Sequence, residues 1–252
     1  MKATIRVLGL ALAMSLFTGA LAAETAGAAR YDASIQSKVA IYLAGKKQFT
    51  AIQASVEDGI VTLTGNVDLY QQKLDATKKV RKMTNVQGVR NLITVAGKSV
   101  SDGALEEQLD RKLYYDRIGY DNLFNFMTAS VQGGVVTLNG EARTEYDRDS
   151  AVALVNNTPG VKDVVSNIKV SPASIFDDRI RLQEARVIYR DPVLSRYAID
   201  PAKPIRIVVD NGHVTLYGAV ANKMDKEVAG IRAGQVFGAF SVQNNLEVLK
   251  KS

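Results

Sequence analysis

The chain of 252 residues contains no cysteine and no tryptophan, and it has a single histidine and five prolines. Without cysteine, neither a disulfide framework nor a thiolate metal centre can form. Because there is one histidine, motifs with two histidines such as H-E-x-x-H cannot occur. P-loop and G-x-S-x-G patterns are also absent from the sequence. We therefore expect a non-enzymatic protein with no catalytic residue, no metal and no cofactor. His213 itself is interpreted as a surface group of a strand.

A seven-residue motif is present three times, with its first glycines 75 and then 78 residues apart. A period of this length corresponds to a small domain rather than to a solenoid repeat. The motif contains two glycines in each copy, namely Gly59 and Gly65, Gly134 and Gly140, and Gly212 and Gly218.

Each motif is preceded by an alternating apolar run and by a turn dipeptide, Asp58-Gly59 in the first copy. Such dipeptides supply the positive φ angles of tight hairpin turns, and alternation indicates a strand with one buried face. Each copy is therefore predicted to contain a β-hairpin. The closing glycine is expected at a bend or at a close approach of two backbones.

Helical and strand patterns surround each hairpin. Apolar residues at a spacing of four precede it, for example Ile35, Val39 and Leu43, and an N-cap is expected at Asp32 or Ser34, Ser101 and Asp177. In the third copy the middle core position is Glu184. A second helix and an alternating strand follow the hairpin. The predicted fold is α+β, with three tandem two-layer sandwiches, each helix-strand-strand-helix-strand with both helices on one face of a three-stranded sheet.

The predicted organisation is a signal peptide followed by three copies. Lys2 and Arg6 precede a short apolar stretch and the small residues of Ala20-Leu21-Ala22, so residues 1–22 are predicted to be a secretory signal peptide cleaved after Ala22. The apolar stretch is too short for a membrane anchor, and the absence of cysteine excludes a lipoprotein. The copies span 32–97, 101–171 and 174–250, called domains 1, 2 and 3 below, and the mature protein is expected in the periplasm.

Three hairpin copies of the form G-x-V-T-L-x-G behind an export signal resemble the BON domain family. The third copy also has the Asp-Pro pair of the family at Asp191-Pro192, whereas the first two lack it. Closing strands of the family type place Asn91, Asn167 and Asn245 near their centres. The resemblance covers residues 32–250 and implies an OsmY-like periplasmic protein of osmotic or envelope stress, without catalytic residues, that binds phospholipid or acts as a chaperone. The six glycines carry over only as structural positions.

Two stretches are candidate contacts for an anionic phospholipid surface. The first combines aromatic and basic side chains, which suits a membrane interface, although core packing is the alternative for Tyr114 and its apolar neighbours. The second is a row of lysines on the second helix of domain 1, for which a solvated face is the alternative. The candidates are Arg111, Lys112, Tyr114, Tyr115, Arg117 and Tyr120, with Lys78, Lys79 and Lys82.

The net charge of +6 becomes +4 after removal of Lys2 and Arg6. In an exported protein this balance favours a phospholipid headgroup over nucleic acid as the polyanionic partner. The leading hypothesis is therefore peripheral binding to anionic phospholipid. The alternative is a periplasmic chaperone or scaffold that binds other envelope proteins, and no small-molecule substrate is inferred.

Overall fold

A computed structural model describes residues 27–115, 125–171, 173–198 and 205–249. The predicted signal peptide and the candidates Arg117 and Tyr120 lie outside these ranges. Contacts divide the chain into two compact units, one comprising 1–67 and 72–94 and the other 68–71 and 95–252. Domain 1 accounts for most of the first unit, and domains 2 and 3 lie together in the second.

Domain 1 follows the predicted element order, with a closing strand in two pieces and a short 3-10 helix at Lys47–Phe49. Its elements are α1 (Asp32–Ala44), β1 (Ile52–Glu57), β2 (Ile60–Val67), α2 (Tyr70–Arg81), β3 (Gly88–Asn91) and β4 (Thr94–Val95).

Domain 2 repeats this order with an uninterrupted closing strand. Its elements are α3 (Asp102–Tyr115), β5 (Phe126–Gln132), β6 (Val135–Ala142), α4 (Glu145–Asn156) and β7 (Asp163–Val170).

Domain 3 repeats the order again, with its second and closing strands each in two pieces and a 3-10 helix at Ser195–Ala198. Its elements are α5 (Ile175–Tyr189), β8 (Arg206–Asp210), β9 (His213–Tyr217), β10 (Ala219–Val220), α6 (Lys223–Ala233), β11 (Ser241–Asn244) and β12 (Glu247–Val248).

The sheet has the same topology in each domain, and the predicted fold class is confirmed. The second strand lies in the middle, antiparallel to the first strand and parallel to the closing strand. The antiparallel step needs only a hairpin, whereas the parallel step needs a crossover, which the second helix provides. Core residues of both helices join one cluster with the inward side of the sheet in domains 2 and 3.

The spacing of four in the first helices places their apolar residues on the sheet, because residues four apart share one helical face. All nine positions are buried: Ile35, Val39, Leu43, Leu105, Leu109, Leu113, Ile180, Glu184 and Ile188. Register therefore makes Val39, Leu109 and Glu184 equivalent.

The strand register shows that the three asparagines expected near the centres of the closing strands are not all equivalent to one another. Val61, Val136 and Val214 pair with Val89, Val164 and Val242, so the third copy matches Asn91 with Asn244, and domain 2 has Ser166 there. The Asn91 and Asn244 side chains each donate to a carbonyl of the second helix, Lys73 and Lys226. They also accept from the N–H two residues onward. In domains 1 and 3 this asparagine coincides with the break in the closing strand. In domain 2, where Ser166 takes its place, β7 continues without a break.

Domain 3 fixes the segment after its first helix with a buried aspartate. Asp191 is 6% exposed and accepts from the N–H groups of Val193 and Leu194 and, at 2.8 Å, from Nε of Arg232. The Val193 hydrogen bond, together with that of Arg232, lowers the pKa of Asp191. The Asp-Pro pair of the third copy therefore anchors the start of the long segment that leads to β8.

Domains 2 and 3 contact each other within the second unit. Strand β5 lies against β8, and the ring of Phe126 stacks on that of Tyr217 at 5.2 Å between centroids. The Arg206 guanidinium lies over the Tyr114 ring at 4.8 Å. Arg143 forms an ion pair with Asp178 at 2.6 Å. Aromatic stacking, a cation–π contact and an ion pair thus hold the two copies together.

Candidate functional site

The hairpin turn of every domain is held by an aspartate from the first turn of the first helix. The two carboxylate oxygens accept hydrogen bonds from the two successive N–H groups of the turn. The pairs are Asp32 with Asp58 and Gly59, Asp102 with Gly133 and Gly134, and Asp177 with Asn211 and Gly212, at distances of 2.6–3.1 Å. We call these contacts the turn clamp.

The turn clamp changes the role expected for two of these aspartates. Tyr31, not Asp32, occupies the N-cap of α1, and the N-cap of α5 is Ser174, whose side chain accepts from the Asp177 N–H. The carboxylates therefore bond to a turn 26 to 35 residues away instead of capping their own helix. The sequence signal was the recurrence of aspartate three residues before the first core position.

The six motif glycines all have positive φ angles, between 76° and 122°. In domain 1 both central turn residues have positive φ, 51° at Asp58 and 76° at Gly59, as a type I′ turn requires. At the closing glycine the backbones approach closely, because a Cβ on Gly65 or Gly140 would lie 2.0 Å from a carbonyl oxygen of the preceding segment. These glycines position the hairpin and contribute no chemistry.

The aromatic and basic stretch of domain 2 is divided between two environments. Tyr114 is half-buried beneath Arg206, at the contact with domain 3. Tyr115 is 60% exposed and packs edge-on against the Tyr114 ring. Arg111 is exposed and forms an ion pair with Glu107 at 2.8 Å, and Lys112 is half-buried. Of these four residues, Tyr115 is the aromatic one open to solvent.

The candidate lysines lie on the solvent-exposed side of α2 and directly after its last residue. Lys78, Lys79 and Lys82 are exposed, as is Arg81 between them, while Ala76 and Val80 are buried. None of the three lysines forms an ion pair with a residue in the described ranges. Cations at a helix C-terminus interact favourably with the helix dipole, which is a structural reason for their position.

Domain 3 exposes a group of large apolar side chains that the sequence analysis missed. Ile175, Phe176, Phe237 and Phe240 are 78%, 75%, 93% and 79% exposed, and we call them the aromatic end of domain 3. Their segments converge on the Asn211-Gly212 turn. Asp177, next to Phe176, binds this turn, and the Phe240 N–H donates to the Gly212 carbonyl at 2.8 Å.

Phe237 and Phe240 have no aromatic counterparts in domains 1 and 2. Strand register places Thr84 and Pro159 at the position of Phe237, and Gln87 and Lys162 at that of Phe240. A comparison of the three copies at these two positions could have revealed the difference, because the turn after the second helix is polar or proline in domains 1 and 2.

No catalytic arrangement is found among the described residues. His213 is exposed on β9, where its Nδ1 lies 2.7 Å from the Ser241 hydroxyl. Glu184 is fully buried and has no hydrogen-bond partner among the residues that the structure describes, and burial raises its pKa to about 8. No group of three His, Asp or Glu in the described part of the chain could hold a metal ion.

Two of the cavities formed by the described residues are large enough to hold a small ligand. One of about 450 Å³ lies beside the 95–101 linker, and its lining includes the exposed Lys98 and Lys162. A groove of about 400 Å³ lies between α1 and β1 of domain 1. Neither brings together the groups that acid–base or nucleophilic catalysis needs. Among the helices of the described ranges, none is long and apolar enough to cross a bilayer.

Comparison with known proteins identifies one family. The model of the BON domain matches residues 31–97, 101–172 and 193–250. An uncharacterised protein encoded in the 5′ region of gshII in Anaplasma centrale is 28% identical over 150 residues, which is 57% of this chain and 97% of that protein.

Solved structures give weaker similarities. CdsD, a structural protein of the type III secretion system of Chlamydia trachomatis, is 14% identical, with a TM-score of 0.25 over 82% of this chain and 89% of its own. The periplasmic domain of the inner membrane protein PrgH from S. typhimurium is 11% identical, with a TM-score of 0.20 over 85% of this chain and 100% of its own.

Proposed function

This chain belongs to the BON domain family, and we propose that it is an exported, non-enzymatic protein that binds anionic phospholipid surfaces in the bacterial envelope. Its N-terminal sequence supports export, and a periplasmic location is part of the proposal. A role under osmotic or envelope stress follows from the family resemblance.

The aromatic end of domain 3 is the observation that carries the proposal. Monomeric proteins rarely expose large apolar side chains together, and such groups mark interaction or membrane sites. Phe237 and Phe240 lie four and seven residues after the last residue of α6, and both are mostly exposed. Full burial of one such side chain contributes roughly 1.5–3 kcal/mol. Two inserted rings would therefore supply enough free energy for reversible binding to a membrane interface.

The exposed lysines of α2 and the exposed Tyr115 supply the second part of the interaction. Each lysine or arginine near an anionic leaflet contributes about 1 kcal/mol, and this contribution falls with salt. Lys78, Lys79 and Lys82 are therefore expected to make binding dependent on lipid charge. Tyr114 is assigned to the contact with Arg206 and not to lipid.

Flotation with liposomes tests the proposal on the mature chain. We expect co-flotation with phosphatidylethanolamine containing phosphatidylglycerol or cardiolipin, weaker flotation at high salt, and little with phosphatidylethanolamine alone. Phe237→Ser combined with Phe240→Ser should abolish most of it. Tyr146→Ser is the matched control, because Tyr146 is 79% exposed on a different helix. Failure to float with any lipid, or equal flotation of both variants, would refute the proposal.

A second set of variants separates charge from insertion. Replacement of Lys78, Lys79 and Lys82 by glutamine should remove the salt-sensitive part of binding, and Tyr115→Ala should weaken it slightly. The alternative function, a chaperone or scaffold for envelope proteins, is favoured by the same exposed phenylalanines. If the mature chain suppresses aggregation of an unfolded protein without lipid and does not float, the chaperone role replaces lipid binding.

A further inference from the structure

The single histidine of the chain lies beside the aromatic end of domain 3. The ring of His213, the first residue of β9, meets the ring of Phe240 edge-on, at 6.3 Å between centroids. The Phe240 N–H donates to the carbonyl of Gly212, which directly precedes the histidine. Both rings are exposed. A partner surface that covers Phe240 would therefore also meet the imidazole.

The neighbouring strands place one carboxylate next to this imidazole. Antiparallel register pairs His213 with Asp210 of β8, and the side chains of such a pair lie on the same face of the sheet. Asp210 is exposed, and its carboxylate accepts a hydrogen bond from the Asn211 side chain at 2.9 Å. On the other side, parallel register pairs His213 with the uncharged Ser241 of β11. A neutral imidazole thus leaves the negative charge of Asp210 unbalanced, whereas a protonated imidazole balances it.

The other charged groups near the aromatic end belong to the first turn of α5. Both carboxylate oxygens of Asp177 are bound in the turn clamp. The carboxylate of Asp178 takes part in two ion pairs, at 2.6 and 2.9 Å. Arg179 is exposed and adds a positive charge. Among these types of side chain, histidine is the one whose charge ordinarily changes between pH 5 and 8.

We propose that His213 makes lipid binding by the aromatic end dependent on pH, with the protonated chain binding anionic phospholipid more tightly. This inference rests on the proposed function. Insertion of Phe240 brings the imidazole and Asp210 to the depth of the headgroups, where an anionic surface repels an unbalanced carboxylate. Protonation of the imidazole removes this repulsion. One elementary charge close to an anionic leaflet changes the affinity about fivefold, so we expect a ratio of this size.

Binding to vesicles of phosphatidylethanolamine and phosphatidylglycerol at pH 5.5 and pH 7.5 tests the proposal. Phosphatidylglycerol keeps its negative charge at both pH values. We expect the mature chain to bind about fivefold more tightly at pH 5.5, and this ratio should shrink at high salt. His213→Gln, which retains a hydrogen-bonding group, should bind with the same affinity at both pH values. His213→Lys should bind at pH 7.5 as tightly as the unchanged chain binds at pH 5.5.

Two control variants connect the effect with the position of the imidazole. Tyr146→His in the His213→Gln chain places an imidazole at a position of domain 2 that is 79% exposed in the unchanged chain, and it should not restore the pH dependence. Glu184→Gln removes the buried carboxyl group, which has a pKa of about 8, and should leave the fivefold ratio unchanged. Circular dichroism at both pH values establishes that each variant retains its fold.

Proton uptake provides an independent measurement. Lipid that favours the protonated chain must also favour proton binding, because the coupling between two ligands is reciprocal. Calorimetry at pH 6.5 in two buffers of different ionisation enthalpy should therefore show uptake of part of a proton on vesicle binding, and His213→Gln should show none. Equal affinity at both pH values, or a ratio that His213→Gln retains, would overturn the inference and leave lipid binding intact. Absence of binding at either pH would overturn both.

Discussion

Domains 2 and 3 have the same fold, yet the middle core position of the first helix is Leu109 in one and Glu184 in the other. Both side chains are fully buried, and neither carboxylate oxygen of Glu184 has a hydrogen-bond partner in the described part of the chain. The apolar cluster of domain 3 also includes Leu194 and Tyr197, from the segment between α5 and β8. Domain 3 therefore combines a destabilising core residue, Glu184, with additional apolar burial from its longer loop.

We expect the largest effect from a substitution that places a carboxyl group in the core of domain 2. Leu109→Glu should lower the free energy of unfolding of domain 2 by about 3 kcal/mol or more at pH 7, because an unpaired carboxyl group enters an apolar core. Urea unfolding of the whole chain, with amide hydrogen exchange to assign the domain, measures it. Leu109→Met, which conserves volume, should cost less than about 1.5 kcal/mol. Equal effects of the two variants would contradict the prediction.

The second prediction concerns Glu184 of domain 3 and the pH dependence of the stability of this domain. The folded-state pKa of Glu184 is about 8, raised by burial from its ordinary 4.5, so the folded state retains a proton that the unfolded state releases. The stability of domain 3 should therefore fall as pH rises from about 4.5 to about 8 and then level off.

Amide hydrogen exchange of domain 3 at several pH values, corrected for the intrinsic exchange rate, measures the slope of stability against pH. Glu184→Gln should abolish it. Glu184→Leu should in addition stabilise domain 3 by about 2 kcal/mol at pH 9, since removing a buried charge is often stabilising. A slope that persists in both variants would show that another group is responsible.

The turn clamp is common to both domains and should give matching effects. Asp102→Ala and Asp177→Ala should each destabilise their domain by about 2 kcal/mol, because two turn N–H groups lose a charged acceptor. Hydrogen exchange of the turn amides should rise in the mutated domain only. Asp147→Ala, at an exposed helix N-terminus, provides a milder comparison of about 1 kcal/mol. If Asp102→Ala or Asp177→Ala destabilised its domain no more than Asp147→Ala does, the role assigned to the turn clamp would be contradicted.

The contact between the two domains should contribute the smallest effect. A double-mutant cycle on Phe126→Ala and Tyr217→Ala should give a coupling free energy of about 1 kcal/mol, as stacked aromatic pairs do. Denaturant unfolding of the four chains measures it. A coupling indistinguishable from zero would mean that the rings touch without stabilising the pair of domains.

Much of the fold could be predicted from local pattern. The spacing of Leu105, Leu109 and Leu113 identified a buried helical face, and the alternation around the hairpin identified the strands. Asn91 and Asn167 were both expected near the centre of a closing strand, but the structure aligns Asn91 with Ser166, because similar residues near the centre of a strand do not establish register. Register depends on pairing with the neighbouring strand, which a single strand does not reveal.

The candidate surfaces were only partly predictable. Clustered tyrosine, arginine and lysine indicated an interface in domain 2, but Tyr114 lies beneath a guanidinium from domain 3. Phe237 and Phe240 were not singled out because two isolated phenylalanines after a helix are equally consistent with core packing. Their exposure depends on which side of the turn faces the core.

The sequence by itself determined the three repeats, the order of their elements and the glycine turns, since each depends on neighbouring residues and on the periodicity of burial. Only the tertiary structure decided that Asp102 holds a turn over thirty residues away, that Tyr114 lies beneath Arg206 of domain 3, and that Phe237 and Phe240 are exposed to solvent. These features depend on side chains that are distant in the chain and meet only after folding.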